Sequence, residues 1–336
     1  MNKKRLYFIV LMLCTAAVSM AQVKPVGAIG FYNLENLFDT EDDPDIKDEE
    51  YLADGPNQWN TERYQNKLNN MSKVIADMAN GVDILGVSEV ENRRVLEDLV
   101  QSPSLLPKKY QIIHFDSPDL RGIDVALIYR QGAFTPFAVN KIPFTDPEDE
   151  KFKTRDILWV KGLYLGDTLH VAVNHWPSRR GGKEDKRLRA AQILRQTVDS
   201  VMNVYADAKI ILMGDFNDDP SNKSVKKILN AKNKIDPDDS KMLFNTSAST
   251  FKKGYGTLYY RGAWNLFDQI IISQSLMEEN EDKYFYIKDS FRAFGPDYMR
   301  VKKEQDKGSP LRTFSRGVYL NGYSDHFPAL IYIGKK

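Results

Sequence analysis

One stretch of the sequence decides the fold: Ile210-Ile211-Leu212-Met213-Gly214-Asp215-Phe216-Asn217-Asp218-Asp219-Pro220. An apolar run of strand type ends at Gly214, and polar residues follow it. This pattern is typical of a buried parallel strand whose C-terminal end opens into a polar loop, where layered α/β enzymes carry their chemistry. Asp215 and Asn217 are two residues apart, so they point to the same side of an extended backbone.

The side chains of Asp215 and Asn217 favour binding of a cation or a phosphate. A carboxylate beside an amide suits a hard cation, or a phosphate together with its attacking water. The alternative interpretation is an ordinary turn after a core strand, because Gly-Asp and Asn-Asp-Asp-Pro are common turn sequences. The rest of the chain decides between the two.

The composition is that of a globular protein with enough apolar residues for a core. The chain has 336 residues, of which 42% are hydrophobic and 28% charged, and this length allows one large domain or two smaller ones. Predicted strands outnumber predicted helices, and many strands are apolar throughout. This pattern predicts a two-layer β core with helices outside, as one domain over residues 22–336.

Residues 1–21 have the pattern of a secretory signal peptide. A basic start at residues 3–5 precedes an apolar run over residues 6–18, and Ala21 supplies the small residue before the cleavage site. The run is too short for a stable membrane span. The one cysteine, Cys14, lies inside it, so we expect an exported chain without disulfides, in a bacterial periplasm or outside the cell.

The charge balance limits the possible partners. Removal of the signal takes away three of 47 Lys and Arg residues and none of 46 Asp and Glu residues, which leaves about two net negative charges. A tight non-specific nucleic-acid binder would normally be basic. The balance still allows an enzyme that meets DNA or RNA through a local basic patch, and we expect a monomer.

Polar residues of one chemical type lie at the ends of the predicted strands. Glu89 ends strand 82–90, where a carboxylate is costly to bury unless it is paired or binds a metal. His175 ends strand 168–173 before a basic, Gly-rich loop, a better position for chemistry than an apolar face. The other members are Asn33 after strand 26–32, Arg155 in strand 154–165, Asn174, Asp268 in strand 266–273, and Asp325 with His326 before strand 329–333.

This set suits one or two divalent cations that prefer oxygen ligands, bound through Glu89, Asp215 and Asp325. The two histidines suit an acid and a base. Without thiolates or a multi-His pattern, Mg²⁺, Mn²⁺ or Ca²⁺ is favoured over Zn²⁺. A structural ion pair is the alternative interpretation of Glu89.

Other segments are less informative. The spacing of apolar residues predicts helices over residues 61–80 and 184–205. Residues 231–250 are polar and predict a loop, and residues 275–320 show no clear pattern. An exposed ribbon is predicted over residues 256–262. Its aromatic and basic residues either pack together or stack on a base or sugar; they are Tyr259, Tyr260, Arg261 and the nearby Trp264.

Five motifs in order carry a family resemblance. They are Asn33-Leu34-Glu35-Asn36-Leu37-Phe38, Val87-Ser88-Glu89-Val90, Asn174-His175-Trp176-Pro177-Ser178-Arg179, Gly214-Asp215-Phe216-Asn217 and Ser324-Asp325-His326-Phe327-Pro328. Together they resemble the DNase I-like endonuclease/exonuclease/phosphatase superfamily over essentially the whole mature chain. The resemblance implies a four-layer α/β/β/α sandwich of two packed, mainly antiparallel sheets. It also implies metal-dependent hydrolysis of a phosphate ester at one end of the sandwich.

The resemblance further implies a role for each matching residue. Glu89 would be the principal Mg²⁺ ligand, with Asn33 and Asp325 near the metal. His326 would be the general base and Asp268 would orient it, as the acid of a catalytic triad does. Asp215 and Asn217 would position the attacking water and the phosphate. His175 would bond a phosphate oxygen or protonate the leaving group. The residues that would support phosphate binding are Asn33, Arg155, Asn174 and Arg179.

The substrate stays open at this point. A nuclease-type phosphodiesterase ranks slightly ahead, because two arginines follow His175 and suit an anionic diester. Phosphatases and phosphodiesterases that act on inositol phosphates, sphingolipids or sugar phosphates are the alternatives. A non-catalytic binding module on the same scaffold is a further class, although the complete set of acids and histidines argues against it.

Overall fold

A computed structural model describes residues 23–280 and 283–336, so the predicted signal peptide lies outside the described residues. The helices are α1 Thr61–Asp77, α2 Arg93–Gln101, α3 Glu184–Val204 and α4 Ala248–Lys252. The strands are β1 Pro25–Leu37, β2 Ile84–Val90, β3 Tyr110–His114, β4 Asp124–Arg130, β5 Phe134–Ile142, β6 Ile157–Tyr164, β7 Asp167–His175, β8 Ile210–Asp215, β9 Ala231–Lys232, β10 Leu243–Asn245, β11 Leu258–Tyr260, β12 Ala263–Asn265, β13 Asp268–Ser273, β14 Tyr284–Tyr286, β15 Arg292–Ala293, β16 Phe314–Ser315, β17 Val318–Tyr319 and β18 Ala329–Lys335.

Two seven-stranded sheets form the centre of the molecule. The first has the strand order β14-β18-β1-β2-β4-β3, with β15 paired to β18, and the second has the order β5-β6-β7-β8-β13-β10-β9. Among the described strand pairs, β1–β2, β7–β8 and β9–β10 are parallel and the others are antiparallel. The predicted fold class, with two mainly antiparallel sheets, is confirmed.

The alternation of side chains along the central strands explains the layers. In β8, Ile211 and Met213 pack between the two sheets, whereas Ile210 and Leu212 pack against α3. Strand β1 likewise divides its side chains between the inter-sheet core and the layer that contains α1 and α2. Because both faces of these strands are buried, their sequences are mainly apolar up to the polar residues at their C-terminal ends. The layers follow the order α/β/β/α.

Several edge elements were predicted wrongly or not at all. Within residues 231–250, which we predicted as a loop, β9 and β10 extend the second sheet and α4 begins at Ala248. Within residues 275–320, β14 and β15 pair with β18, and β16 pairs with β17. Strand β5, also missed, is an edge strand with many exposed or half-buried residues. Short or half-exposed strands carry little apolar periodicity, so their signal in a sequence is weak.

Gly214 lies in β8, one residue before Asp215, and its register partner in β7 is Asn174. A Cβ at position 214 would lie 2.3 Å from the carbonyl oxygen of Asn174, a backbone atom fixed by the strand pair. At Gly86 of the other sheet, a Cβ would meet Met213 Sδ at 2.6 Å. That atom belongs to a flexible side chain, which can move aside.

We therefore predict that Gly214→Ala lowers the free energy of unfolding by about 2–3 kcal/mol, as overpacking does in a rigid core. Gly86→Ala is the matched control and should cost less than half as much. Urea denaturation of the two variants measures the difference. Equal losses would contradict the close approach of β7 and β8 at this position.

Candidate active site

The polar strand ends meet at one edge of the sandwich. In the parallel pairs β1–β2 and β7–β8, both strands end at this edge and bring Asn33, Glu89, His175 and Asp215 to it. Strand β13 runs antiparallel to β8 and begins there, so Asp268 is the register partner of Asp215. Strand β18 runs antiparallel to β1, and residues 325–326 precede its first residue at the same edge.

Two β-bulges direct side chains into this edge. The register of β1 and β2 shifts between Asn33 and Leu37, and the register of β2 and β4 shifts at Glu89. Glu35, Asn36 and Glu89 have φ angles of 50°, 55° and 59°. Such left-handed conformations are uncommon for residues other than glycine and persist where contacts fix them. Here the Glu35 and Asn36 N–H groups donate to Asn33 Oδ1 and Glu89 Oε2.

Asp215 connects the two sheets and lies between both histidines. Its Oδ2 accepts a hydrogen bond from Asn33 Nδ2 at 3.1 Å. The same oxygen lies 3.7 Å from His175 Nε2 and 3.9 Å from His326 Nε2. Its Oδ1 accepts from the Asn217 N–H at 2.9 Å. Burial raises the pKa of Asp215 above its ordinary value, with His326 acting in the opposite direction.

Glu89 completes the group on one side of Asp215. Its Oε1 accepts from Asn33 Nδ2 at 3.1 Å and lies 3.7 Å from His175 Nε2. Because Asn33 Oδ1 is occupied by the Glu35 N–H, the amide of Asn33 presents its N–H groups to the two carboxylates. Asn33 thus orients Glu89 and Asp215 in this structure and does not offer an oxygen ligand.

On the other side, Asp268 holds His326. Asp268 Oδ2 lies 2.7 Å from His326 Nδ1, and the Asp268 side chain is fully buried. This contact fixes the ring and leaves His326 Nε2 facing Asp215 and Asp325, each at 3.9 Å. The pair has the geometry of a histidine oriented by a carboxylate.

The surroundings of the two histidines push their pKa values apart. Burial, with the charges of Arg155 and Arg121, places the pKa of His175 well below its ordinary value. Burial also acts to lower the pKa of His326, but the charges of Asp268 and Asp325 outweigh it and hold that pKa well above the ordinary value. The side chains by themselves therefore favour a neutral His175 and a protonated His326, a separation typical of acid–base sites.

The side chains present fit a divalent cation. Glu89, His175 and Asp215 each offer one ligand atom within 4.8 Å of the others, and Asp215, Asp268 and His326 form a second such group. Asp268 Oδ1 is buried and, among the described residues, has no hydrogen-bond partner. Asp325 joins neither group, and its Oδ2 accepts from Arg312 Nη2 at 3.0 Å. Carboxylate oxygens at this density favour a hard cation.

The two arginines that we assigned to phosphate binding instead hold loops in place. Arg155, whose side chain is 5% exposed, donates to Asp119 Oδ2 at 2.9 Å and to the Trp176 carbonyl at 2.7 Å. Arg179 donates to the Asn217 carbonyl and to Asp219 Oδ2, both at 3.0 Å. Neither guanidinium contacts Glu89 or Asp215 in this structure.

The side-chain N–H groups of the two predicted amides donate to backbone carbonyls. Asn174 is fully buried, and its Nδ2 donates to the Ala172 and Met213 carbonyls. Asn217 Nδ2 donates to the Trp176 carbonyl at 2.9 Å, while its backbone N–H binds Asp215. Asn217 thus positions Asp215, whereas the structure does not bring the Asn174 amide into the group of carboxylates and histidines.

A group of charged residues beside Asp325 was not predicted from the sequence. Arg312 bridges Glu35 and Asp325, and the fully buried Lys67 lies 3.8 Å from Glu35 Oε2. One signal was available in the sequence: Lys67 lies three residues after Tyr64 and four before Met71, on the buried stripe of α1. A lysine on such a stripe indicates a buried acceptor.

Comparison with known proteins gives the family. The model of the endonuclease/exonuclease/phosphatase family matches residues 28–335. The chain belongs to this family. It is therefore a phosphoesterase hydrolase by family, as the sequence predicted, and the family generally uses divalent metals. No curated protein sequence matches the chain significantly.

Solved structures of this family share the fold. The Bacteroides thetaiotaomicron mannosyl-6-phosphatase is 15% identical with a TM-score of 0.56, and the match covers 91% of this chain and 98% of that one. A humanized D. rerio TDP2 is 14% identical with a TM-score of 0.55, covering 92% and 98%. The human Nocturnin catalytic domain is 17% identical with a TM-score of 0.54, covering 92% and 94%.

Within residues 23–280 and 283–336, none of the helices combines the length and the apolar character that a membrane crossing requires.

The contact between Asp268 and His326 yields a test by titration. We predict that Asp268→Asn lowers the pKa of His326 by about one pH unit or more, because the nearest negative charge is removed. NMR titration of the histidine rings in EDTA measures it. His170, whose pKa is lowered to about 4 mainly by burial, is an internal control and should not move. An unchanged titration of His326 would show that Asp268 does not set its charge.

Proposed function

We propose that this protein is an exported, metal-dependent phosphodiesterase of nuclease type, which hydrolyses its substrate by in-line attack of an activated water. One observation carries the proposal: Asp215 Oδ2 lies within 3.9 Å of the Nε2 atoms of both His175 and His326. One carboxylate therefore lies between two imidazoles. This arrangement suits a displacement with its proton donor and acceptor on separate sides of the phosphorus.

The metal would be held on the carboxylate side of the site. Glu89 and Asp215 supply the oxygen ligands, with Mg²⁺ as the favoured ion and Mn²⁺ or Ca²⁺ as alternatives. When bound, the cation supplies positive charge that stabilises the transition state and lowers the pKa of nearby His326. Asn33 keeps both carboxylates in place through its two N–H groups.

In the proposed reaction, different residues accept and donate the protons. His326 Nε2, with Nδ1 held by Asp268, accepts the proton of the attacking water. Asp215, fixed by the Asn217 N–H, orients that water. His175 lies on the other side of Asp215 Oδ2 and, as a neutral ring, donates a hydrogen bond to a phosphate oxygen. The negative charge of a bound phosphate raises the pKa of His175, which protonation of the leaving alcohol requires. Arg155 and Arg179 keep the loops of His175 and Asn217 in position.

A surface next to the site favours a diester. Leu258 of the β11–β12 hairpin forms a β-bridge with His326. On this hairpin Tyr259 and Trp264 pack against each other, whereas Tyr260 is 58% exposed and lies under Arg261. An exposed aromatic and basic pair suits the second alcohol of a diester, such as a neighbouring nucleotide. Phosphate esters of inositol, sphingolipid or sugar are the alternative substrates.

We predict that the purified protein hydrolyses a phosphodiester in Mg²⁺ or Mn²⁺ and loses this activity in EDTA. Glu89→Gln should lower kcat by about 100-fold or more, because it removes the charge of a principal ligand. Glu97→Gln is the matched control, since Glu97 is exposed on α2 and pairs only with Arg93 among the described residues. The panel holds plasmid DNA, RNA, bis-p-nitrophenyl phosphate, inositol polyphosphates, sphingomyelin and mannose 6-phosphate.

The outcomes separate the candidate functions. Cleavage of DNA or RNA that Glu89→Gln abolishes supports the nuclease-type reaction. Cleavage of mannose 6-phosphate or inositol phosphates alone would keep the metal-dependent mechanism and reject the diester. No cleavage of any substrate, together with no binding of Mg²⁺ or Mn²⁺ by calorimetry, would favour a binding module on this fold.

A further inference from the structure

Arg312 lies beside the proposed catalytic residues, in a segment whose sequence shows no clear pattern. Its Nε donates to Glu35 Oε1 and its Nη2 donates to Asp325 Oδ2, both at 3.0 Å. The other oxygen of Asp325 lies 3.9 Å from His326 Nε2. One carboxylate therefore separates the guanidinium from the histidine.

The guanidinium keeps free donors on its outer edge. It has five N–H groups, of which the one on Nε donates to Glu35 and one on Nη2 donates to Asp325, so one N–H on Nη2 and two on Nη1 remain. Throughout residues 23–280 and 283–336, Nη1 of Arg312 has no hydrogen-bond acceptor. The side chain is 45% exposed, whereas that of Arg155 is 5% exposed. The two Nη atoms thus present a pair of N–H groups that fits two oxygens of a phosphate.

A buried support holds this arginine in place. Glu35 is 7% exposed, and its Oε2 accepts from the Thr313 N–H at 2.7 Å. Lys67 lies 3.8 Å from the same oxygen and donates to Thr313 Oγ1 at 2.6 Å and to the Tyr323 carbonyl at 2.7 Å. An ordinary surface ion pair contributes little and needs no such support. A fixed guanidinium is, however, what recognition of a ligand requires.

The negative charge of the site indicates what a fixed arginine beside it can do. Glu89, Asp215, Asp268 and Asp325 together repel an anionic substrate, and Arg155 is turned away into its ion pair with Asp119. An anion that approaches the histidines therefore needs a fixed positive charge at the mouth of the site. Arg312 meets that need, because its side chain is 45% exposed and two carboxylates hold its guanidinium beside His326.

We propose that Arg312 binds the phosphate of the substrate through its two Nη groups, and that Glu35 and Lys67 are positioning residues for it. The proposal rests on the function proposed above, because phosphate is the ligand for which the site is suited. It adds a binding residue in place of Arg155 and Arg179, whose donors hold loops.

The test compares Arg312→Lys with Arg316→Lys. Lysine keeps the charge at position 312 and removes the paired N–H groups, and Arg316 is an exposed arginine four residues further along the same segment. Two readouts are taken: binding of inorganic phosphate by calorimetry, in EDTA and in Mg²⁺, and kcat and KM on bis-p-nitrophenyl phosphate. Thermal unfolding checks that both variants fold equally.

Arg312→Lys should weaken phosphate binding and raise KM by about ten- to hundred-fold, the effect of losing a charge-assisted hydrogen-bond pair. Arg316→Lys should change neither quantity. Glu35→Gln should raise KM by a smaller factor, because it loosens Arg312 without removing it. A loss in Arg312→Lys that is confined to kcat, with KM and phosphate binding unchanged, would overturn the proposal.

The results also separate this proposal from the function itself. If the protein hydrolyses no ester but binds phosphate in a manner that Arg312→Lys abolishes, the proposal holds and the reaction class is wrong. If the protein hydrolyses a diester and Arg312→Lys matches Arg316→Lys, the function stands and the proposal is wrong. If the protein neither binds phosphate nor hydrolyses an ester, both are wrong.

Discussion

The buried carboxylate of Asp215, at the contact between the two sheets, is the constraint on which the site depends. Its Oδ2 accepts from Asn33 of the first sheet and lies within 3.9 Å of both His175 and His326. A buried carboxylate is costly unless hydrogen-bond donors or cations surround it. The apolar packing of Ile211 and Met213 between the sheets fixes the position of this carboxylate. The core thereby determines the geometry of the polar edge.

Much of this arrangement could be predicted from the sequence. Strands buried on both faces are apolar throughout, so their ends are easy to locate, as β8 shows. Parallel neighbours such as β1–β2 and β7–β8 end at the same edge of a sheet, and the antiparallel strands β13 and β18 begin there. Acids, amides and histidines at those ends therefore had to lie close together. Their residue types alone indicated a hard cation and a pair of proton-transfer groups.

The directions of individual side chains could not be predicted. Glu89 reaches the site through a β-bulge and a left-handed φ, which no periodicity reveals. Arg155 and Arg179 follow the expected spacing, but backbone carbonyls and nearby acids take up their donors. Arg312 lies in a segment without apolar pattern, and its buried partner Glu35 is 277 residues away in the chain. Such long-range ion pairs depend on the completed fold, so they have no local signal.

The most direct test of the account is the position of a bound metal. We would soak crystals of the protein in Mn²⁺ and record anomalous diffraction at the manganese absorption edge. We predict an anomalous peak within bonding distance of a Glu89 carboxylate oxygen, in the group that also contains Asp215, and loss of that peak in Glu89→Gln. A peak elsewhere, or an unchanged peak in the variant, would contradict the claim that the converging strand ends build a metal-dependent phosphoesterase site.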